Sequence, residues 1–221
     1  MNRQSLYEIR HARPGDVPGA RRLILDTFYR EFGYGYVPDW HADVVDLQGH
    51  YLDHPRHALL VAAHGGEVVA TTALHSTGPA HPPHPRELTE RYPSGTTAQL
   101  VRVYVRAGHR RNGLARELVH RARDFAAAEG GYRRLYLHTN TAIPGAEAFW
   151  RSLAEEVHDA RPTGEHGPGV ATVHFEIPLR HPADLRPAGP PTPGTRAPAP
   201  ALAPAPAPAL RQGAFPTLPR M

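Results

Sequence analysis

The sequence predicts a mixed α/β domain built on a central sheet, and three observations carry that expectation. Short β-branched and aromatic runs alternate with stretches whose apolar residues recur every three to four positions. Two strand-like runs in "HALLVAAHGGEVVATTALHS" meet at Gly65-Gly66, the strongest hairpin signal in the chain. Near its end, "VATVHFEIP" alternates apolar and polar residues as a half-buried strand does.

In order, "YEIRHA" (Tyr7–Ala12) reads as a strand. "GDVPGARRLILDTFYREF" follows as a helix, with Asp16 as its N-cap and Val17, Ala20, Leu23, Ile24, Thr27 and Phe28 on one face. "HADVVDLQGHYLD" reads as a second helix, ahead of the hairpin. A loop rich in proline and histidine spans Gly78 to Gly95. A strand over Thr97–Arg106 leads to a helix from about Leu114 to Glu129, with Leu114, Leu118, Ala122 and Phe125 as its apolar stripe. "RLYLHT" (Arg134–Thr139) is a further strand, and "PGAEAFWRSLAEEV" a helix with Pro144 in its first turn.

The sharpest boundary falls near Leu179. Residues 1–180 form the expected domain; residues 181–221 hold about half of the 25 prolines, interleaved with alanine, and read as a disordered or polyproline tail. The basic side chains are all arginine. The formal charge is only +4, and Arg186, Arg196, Arg211 and Arg220 place most of it in that tail. The domain is close to neutral, so a nucleic-acid partner is not expected. Cysteine is absent, which removes disulfides, thiolate metal sites and a cysteine nucleophile. There is no apolar run of spanning length and no signal-peptide core, so a cytoplasmic protein without a membrane partner is expected.

The stretch with the most chemistry in it is "RVYVRAGHRRNGLARELV", Arg102–Val119. A helix start leaves its first amides unpaired and carries partial positive charge. Gly113 lets an anion approach closely, Ala115 keeps the next step small, and Arg110 and Arg111 add charge. A pyrophosphate fits such a junction, although neither common Gly-rich nucleotide fingerprint is present.

The longer run "LVRVYVRAGHRRNGLARELVHRARDFA" resembles the acyl-CoA-binding motif of the GNAT (Gcn5-related N-acetyltransferase) superfamily, R/Q-x-x-G-x-G/A after a strand. Arg110, Gly113 and Ala115 stand at its three marked positions, and "LYLHTN…PGAEAFW" resembles the family's fifth strand and following helix. The resemblance covers roughly residues 7–178. It implies a GNAT-like mixed sheet flanked by helices, acetyl-CoA as co-substrate, and acetyl transfer to an amine of a small molecule or peptide. The backbone of Arg111, Asn112, Gly113, Leu114, Ala115 and Arg116 would hold the coenzyme A pyrophosphate. Val103, Tyr104 and Val105 would pair with the pantetheine arm, and Asn140 is assigned to the coenzyme as well. A non-catalytic acyl-CoA-binding protein of the same fold is the alternative, and a homodimer is left open.

The sequence departs from the family where protons move. Gln99 stands where many members carry a glutamate base, and Trp150 where many carry a tyrosine acid. Neither titrates near neutral pH. The expected catalytic residues are therefore His138 as base and Tyr104 as acid. Tyr34, Tyr36 and Trp40, with Gln99 and Trp150, are expected to line the acceptor pocket, where Asp39, Asp43 and Asp46 would suit a cationic amine. No metal is expected. Among the sixteen histidines, His41, Asp46 and His50 do not share a helical face, His81 and His84 flank Pro82-Pro83, and HExxH is absent.

Overall fold

The computed structural model describes residues 6–128, 131–167 and 170–179. The expected tail, residues 181–221, lies outside them.

Seven strands form one sheet: β1 (Glu8–His11), β2 (Ala58–His64), β3 (Glu67–His75), β4 (Thr97–Val105), β5 (Arg134–Asn140), β6 (Glu155–Asp159) and β7 (Thr172–Pro178). Their spatial order is β1-β2-β3-β4-β5-β7-β6. Only β4 and β5 run parallel. Five helices cover the sheet: α1 (Val17–Asp26), α2 (Pro38–Val45), α3 (Arg86–Arg91), α4 (Leu114–Ala128) and α5 (Ala146–Arg151).

The strand alternation sorts side chains into two cores. Leu100, Val119, Leu135, Leu137 and Val173 share one with the α4 stripe Leu114, Leu118, Ala122 and Phe125. On the opposite face, Leu59, Val61 and Ala73 pack with Val17, Ala20, Leu23, Ile24 and Phe28 of the first helical stretch. The helical faces read from the sequence are thus the buried ones, each large apolar side chain contributing roughly 1.5–3 kcal/mol.

Five local expectations are corrected. Asp16 does not cap α1; its carboxylate instead accepts from the Arg13 amide at 2.7 Å, closing the 3-10 turn Pro14–Asp16, and from the Arg10 guanidinium at 2.5 Å. The first helix loosens after Asp26 into a π-helical turn, Thr27–Phe32, which ends at Gly33. The second helix breaks near His41 and is followed by a separate π-helical turn, Gln48–Leu52. The run after α5 does not continue helical: Glu155–Asp159 pair with β7 and place their charges on the sheet edge. The loop from Gly78 to Gly95 also contains α3, which starts after Pro85 and buries Leu88; Tyr92 just beyond it joins Leu88 against Tyr136.

Two irregularities in the centre of the sheet prepare a site. Strand β4 meets β5 only at Thr97, Ala98 and Gln99, so beyond those residues the two parallel strands part. Strand β4 also carries a bulge: Thr71 faces Tyr104 and Ala73 faces Val101, which leaves two β4 residues opposite Thr72. Arg102 adopts φ 55° there, a left-handed conformation rare outside glycine, and Thr71 Oγ1 fixes its carbonyl at 2.8 Å. The extra residue shifts the parity of the strand. Val101 and Tyr104, three positions apart, therefore reach the α1 side together, while Val103 and Val105 pack toward α4.

Candidate active site

The site begins at the end of β4. From Leu100 to Val105 the strand edge that faces β5 has no strand partner, so its amides and carbonyls can meet an extended ligand. Past this edge the chain turns through Ala107–His109 and enters α4. Arg111 (φ 61°) and Gly113 (φ 78°) are both left-handed there. The turn suits an anion, because a left-handed residue beside an ordinary right-handed one can bring neighbouring amides to one side. It opens directly onto the start of the 15-residue α4, and the Gly113 carbonyl accepts from the Glu117 amide at 3.0 Å, closing the first helical turn.

The side chains at this junction hold its shape more than they line it. Asn112 Nδ2 donates to the carbonyls of His109 (3.1 Å) and Arg110 (3.3 Å) and to the Tyr7 hydroxyl (3.3 Å). Leu114 is buried and anchors the helix start, and Ala115 is half-buried. Arg116 donates to Ser152 Oγ at 2.9 Å. Arg110 donates to the Val105 carbonyl at 2.9 Å and pairs with Glu31. Arg111 is exposed and carries the positive charge at the mouth. Asn140 ends β5, where its side chain accepts from the Ala142 amide at 3.0 Å and shapes the turn into α5.

An aromatic wall stands on the α1 side. The Phe28 ring stacks on His41 at 4.0 Å between centroids, and the edges of Phe28 and Phe32 meet Tyr104 at 6.1 and 5.7 Å. Tyr34 packs on Phe28, Phe32 and His41 while keeping 42% of its surface exposed; Trp40 is 39% exposed and Tyr36 touches His41. Burial raises the Tyr104 phenol above the ordinary tyrosine value, with Arg102 acting in the opposite direction, so it stays protonated at neutral pH. Burial and the charge of Arg102 lower His41 to about 4.

A buried ion pair that sequence reasoning missed lies beneath this wall. Arg102 donates to both oxygens of Asp43, at 3.0 and 2.6 Å, and to the Trp40 carbonyl at 2.9 Å; the Tyr51 hydroxyl adds a bond to Asp43 at 2.6 Å. Asp43 is therefore neutralised, and Asp46 turns to cap the Gly49 amide at 2.9 Å. The acidic surface expected to attract a cationic amine is not formed by these two residues.

Burial alone would raise the Asp43 pKa, but the Arg102 hydrogen bonds and charge bring it below the ordinary 3.8. The stabilisation is thus complete above the unfolded-state value and is lost as pH falls through the lower folded value. The unfolding free-energy difference between wild type and Asp43→Asn, from denaturant melts, should be largest near neutral pH and shrink below about pH 4. A difference that does not change with pH would rule out the pair as an acid-sensitive tie.

The other expected residues are divided. Gln99 is buried at 9% exposure, between His75 on β3 and Tyr136 on β5 in the strand register. Trp150 is 7% exposed and belongs to the α4-side core, against Phe149, so its indole packs the fold and does not wall the aromatic pocket. His138 sits on β5 beyond the parting point, among His84, His166 and His174 at 5.3–5.7 Å between centroids. Burial, reinforced by those histidines, takes its pKa well below 6.5, so its ring is neutral at pH 7.

A sheet opened between two parallel strands thus runs into a left-handed turn at the start of the following helix. The model of the acetyltransferase (GNAT) family matches residues 20–154, more than half of the chain. The chain belongs to that family. Solved structures agree in fold. A GNAT-family acetyltransferase from Staphylococcus aureus Mu50 superposes with TM-score 0.59 at 15% identity, over 79% of this chain and 99% of that one. The ribosomal-protein-alanine N-acetyltransferase from Brucella melitensis gives 0.56 at 19%, over 78% and 99%. The yncA protein of Salmonella typhimurium, solved with its cofactor acetyl-CoA, gives 0.59 at 15%, over 79% and 95%. Among curated proteins none matches the sequence significantly. Among the described residues no helix is long and apolar enough to cross a membrane.

Proposed function

We propose that the protein is an N-acetyltransferase that moves the acetyl group of acetyl-CoA directly to an amine of a small molecule or peptide. The observation that carries this reading is the left-handed pair Arg111 and Gly113 at the start of α4, continuous with the unpaired edge of β4. The junction suits a pyrophosphate, and the strand edge suits an amide-bearing arm running toward Tyr104. Acetyl-CoA in the yncA structure supports the same choice of co-substrate.

In this reading the neutral amine adds to the thioester carbonyl, the carbon–sulfur bond breaks, and the departing thiolate takes a proton from the Tyr104 hydroxyl. A strand amide of β4 stabilises the developing oxyanion, worth a few kcal/mol. The amine's surplus proton passes to water, and solvent returns a proton to the Tyr104 phenolate. The base role expected of His138 goes to solvent in this proposal, because His138 is engaged in a histidine cluster at the other rim of the opening. The wall of Phe28, Phe32, Tyr34 and Trp40 over a neutralised Asp43 favours an acceptor whose amine is carried on an apolar or aromatic body. A cytoplasmic location belongs to the same reading.

A thiol reagent tests this with little background, since the sequence has no cysteine. Coenzyme A release with at least one member of an amine panel is expected, strongest for amines with aromatic or apolar bodies. Saturable acetyl-CoA binding with no release across the panel would leave the non-catalytic acyl-CoA binder, which Gln99 and Trp150 at the usual acid–base positions favour.

A further inference from the structure

On the sheet face opposite α4, beyond Tyr136, a row of histidines crosses three strands. His138 on β5 is in register with His174 on β7, and His174 with His158 on β6. Two loops close over this row. His84 comes from the segment before α3, and Glu165 and His166 come from the connection between β6 and β7. The Glu165 side chain is only 2% exposed, His84 7% and His166 18%. One ligand atom from each of these three residues lies within 4.8 Å of the other two.

The distances separate two kinds of contact. His174 Nε2 meets Glu165 Oε1 at 2.7 Å, and its Nδ1 meets the Tyr136 hydroxyl at 2.6 Å. Those are strong hydrogen bonds, and they fix the orientation of the carboxylate as an outer-shell partner does for a metal ligand. His84 Nδ1 and His166 Nε2 stand farther away, each 3.3 Å from a Glu165 oxygen. A charge-assisted hydrogen bond would be about 2.7–2.9 Å. Two donors bound to one tetrahedral zinc ion at about 2.0–2.1 Å stand ~3.3 Å apart. An independent sign is His138 Nδ1, which is buried against the same cluster with no hydrogen-bond partner. A buried polar nitrogen left unmatched in a native fold calls for an explanation such as an ion or an ordered water.

We infer that His84, Glu165 and His166 form a binding site for a divalent transition-metal cation of the zinc class, with His174 orienting the carboxylate and His138 lining the space beside it. Two imidazoles and one carboxylate favour zinc, cobalt or nickel over magnesium or calcium, which prefer all-oxygen shells. The ion ties the loop before α3 to the loop between β6 and β7. The absence of metal expected from the sequence rested on local spacing, and these ligands lie 81 residues apart. The inference is independent of the acetyl-transfer reading.

The test uses the full chain, free of any affinity tag and stripped with chelator, titrated with zinc and with cobalt. About one equivalent should bind tightly, raise the melting temperature, and give the cobalt form an intense visible band characteristic of low coordination. Magnesium and calcium should do neither. Glu165→Gln and His84→Gln should weaken zinc binding more than about a hundredfold, beyond the 10–100-fold that an outer-shell change commonly costs. Far-ultraviolet circular dichroism and a cooperative thermal melt of the same variants report whether they fold. Unchanged zinc affinity in both variants would overturn the site, as would only weak binding at several exposed histidines. Should a variant fail to fold, the wild-type cobalt spectrum decides: a faint band of octahedral type overturns the inference.

Discussion

Gly113→Glu is expected to abolish coenzyme A binding, lowering affinity by at least two orders of magnitude in calorimetric titration with acetyl-CoA. Two effects add. Gly113 holds φ 78°, where a side chain costs roughly 1–2 kcal/mol. A carboxylate placed there would also face the anion that the helix start and Arg111 are arranged to receive. Gly113→Ala separates the two, since its backbone cost falls on folding with or without ligand; its affinity should drop far less than that of Gly113→Glu. The residue is exposed and outside both cores, so the variant should keep its melting temperature within a few degrees. Affinity unchanged in Gly113→Glu would mean that the junction is an ordinary turn and would remove the basis of the proposed function.

Tyr104→Phe is expected to lower kcat by about 10²–10⁴ while leaving the KM for acetyl-CoA nearly unchanged. The phenyl ring is retained against Phe28 and Phe32, so packing is preserved and only the hydroxyl is lost. Because burial raises the phenol pKa, the wild-type rate should not fall until pH exceeds the ordinary tyrosine range. The high-pH limb belonging to that group should be missing in the variant. A kcat within threefold of wild type would assign thiolate protonation to another group or to water.

Much of the scaffold was legible because its signals are local. The Gly65-Gly66 hairpin, the α4 stripe and the alternation in β7 each follow from neighbours a few residues apart. The misreadings have the opposite origin. Strand β6 reads as helix because "EEV" continues the pattern of α5, and only pairing with β7 makes it a strand. Helix α3 has six residues and sits in a proline-rich stretch, too short for a periodicity to register. The bulge at Arg102 has no glycine to announce it, yet it decides which β4 side chains face the acceptor side. The left-handed junction before α4 could be read because it is contiguous in sequence. The Asp43–Arg102 pair spans 59 residues, and the histidine cluster gathers His84, His138, His158, His166 and His174 from separate segments. No spacing rule connects such residues before the sheet does.

Arg110 has a consequence for how the two substrates sense one another. One guanidinium touches the carbonyl of Val105 at the exposed strand edge and the carboxylate of Glu31 in the π-helical turn that bears Phe28 and Phe32. In the proposed reading this contact joins the coenzyme side to the acceptor side, alongside the Arg106–Asp26 pair at 3.0 Å. A ligand that draws Arg110 away from Glu31 loosens the aromatic turn, and a ligand that seats the turn returns the same free energy to the coenzyme side. The exchange is reciprocal by necessity. An exposed pair of this kind is worth about 0.2–1 kcal/mol, so the coupling it carries between the two proposed substrates is small.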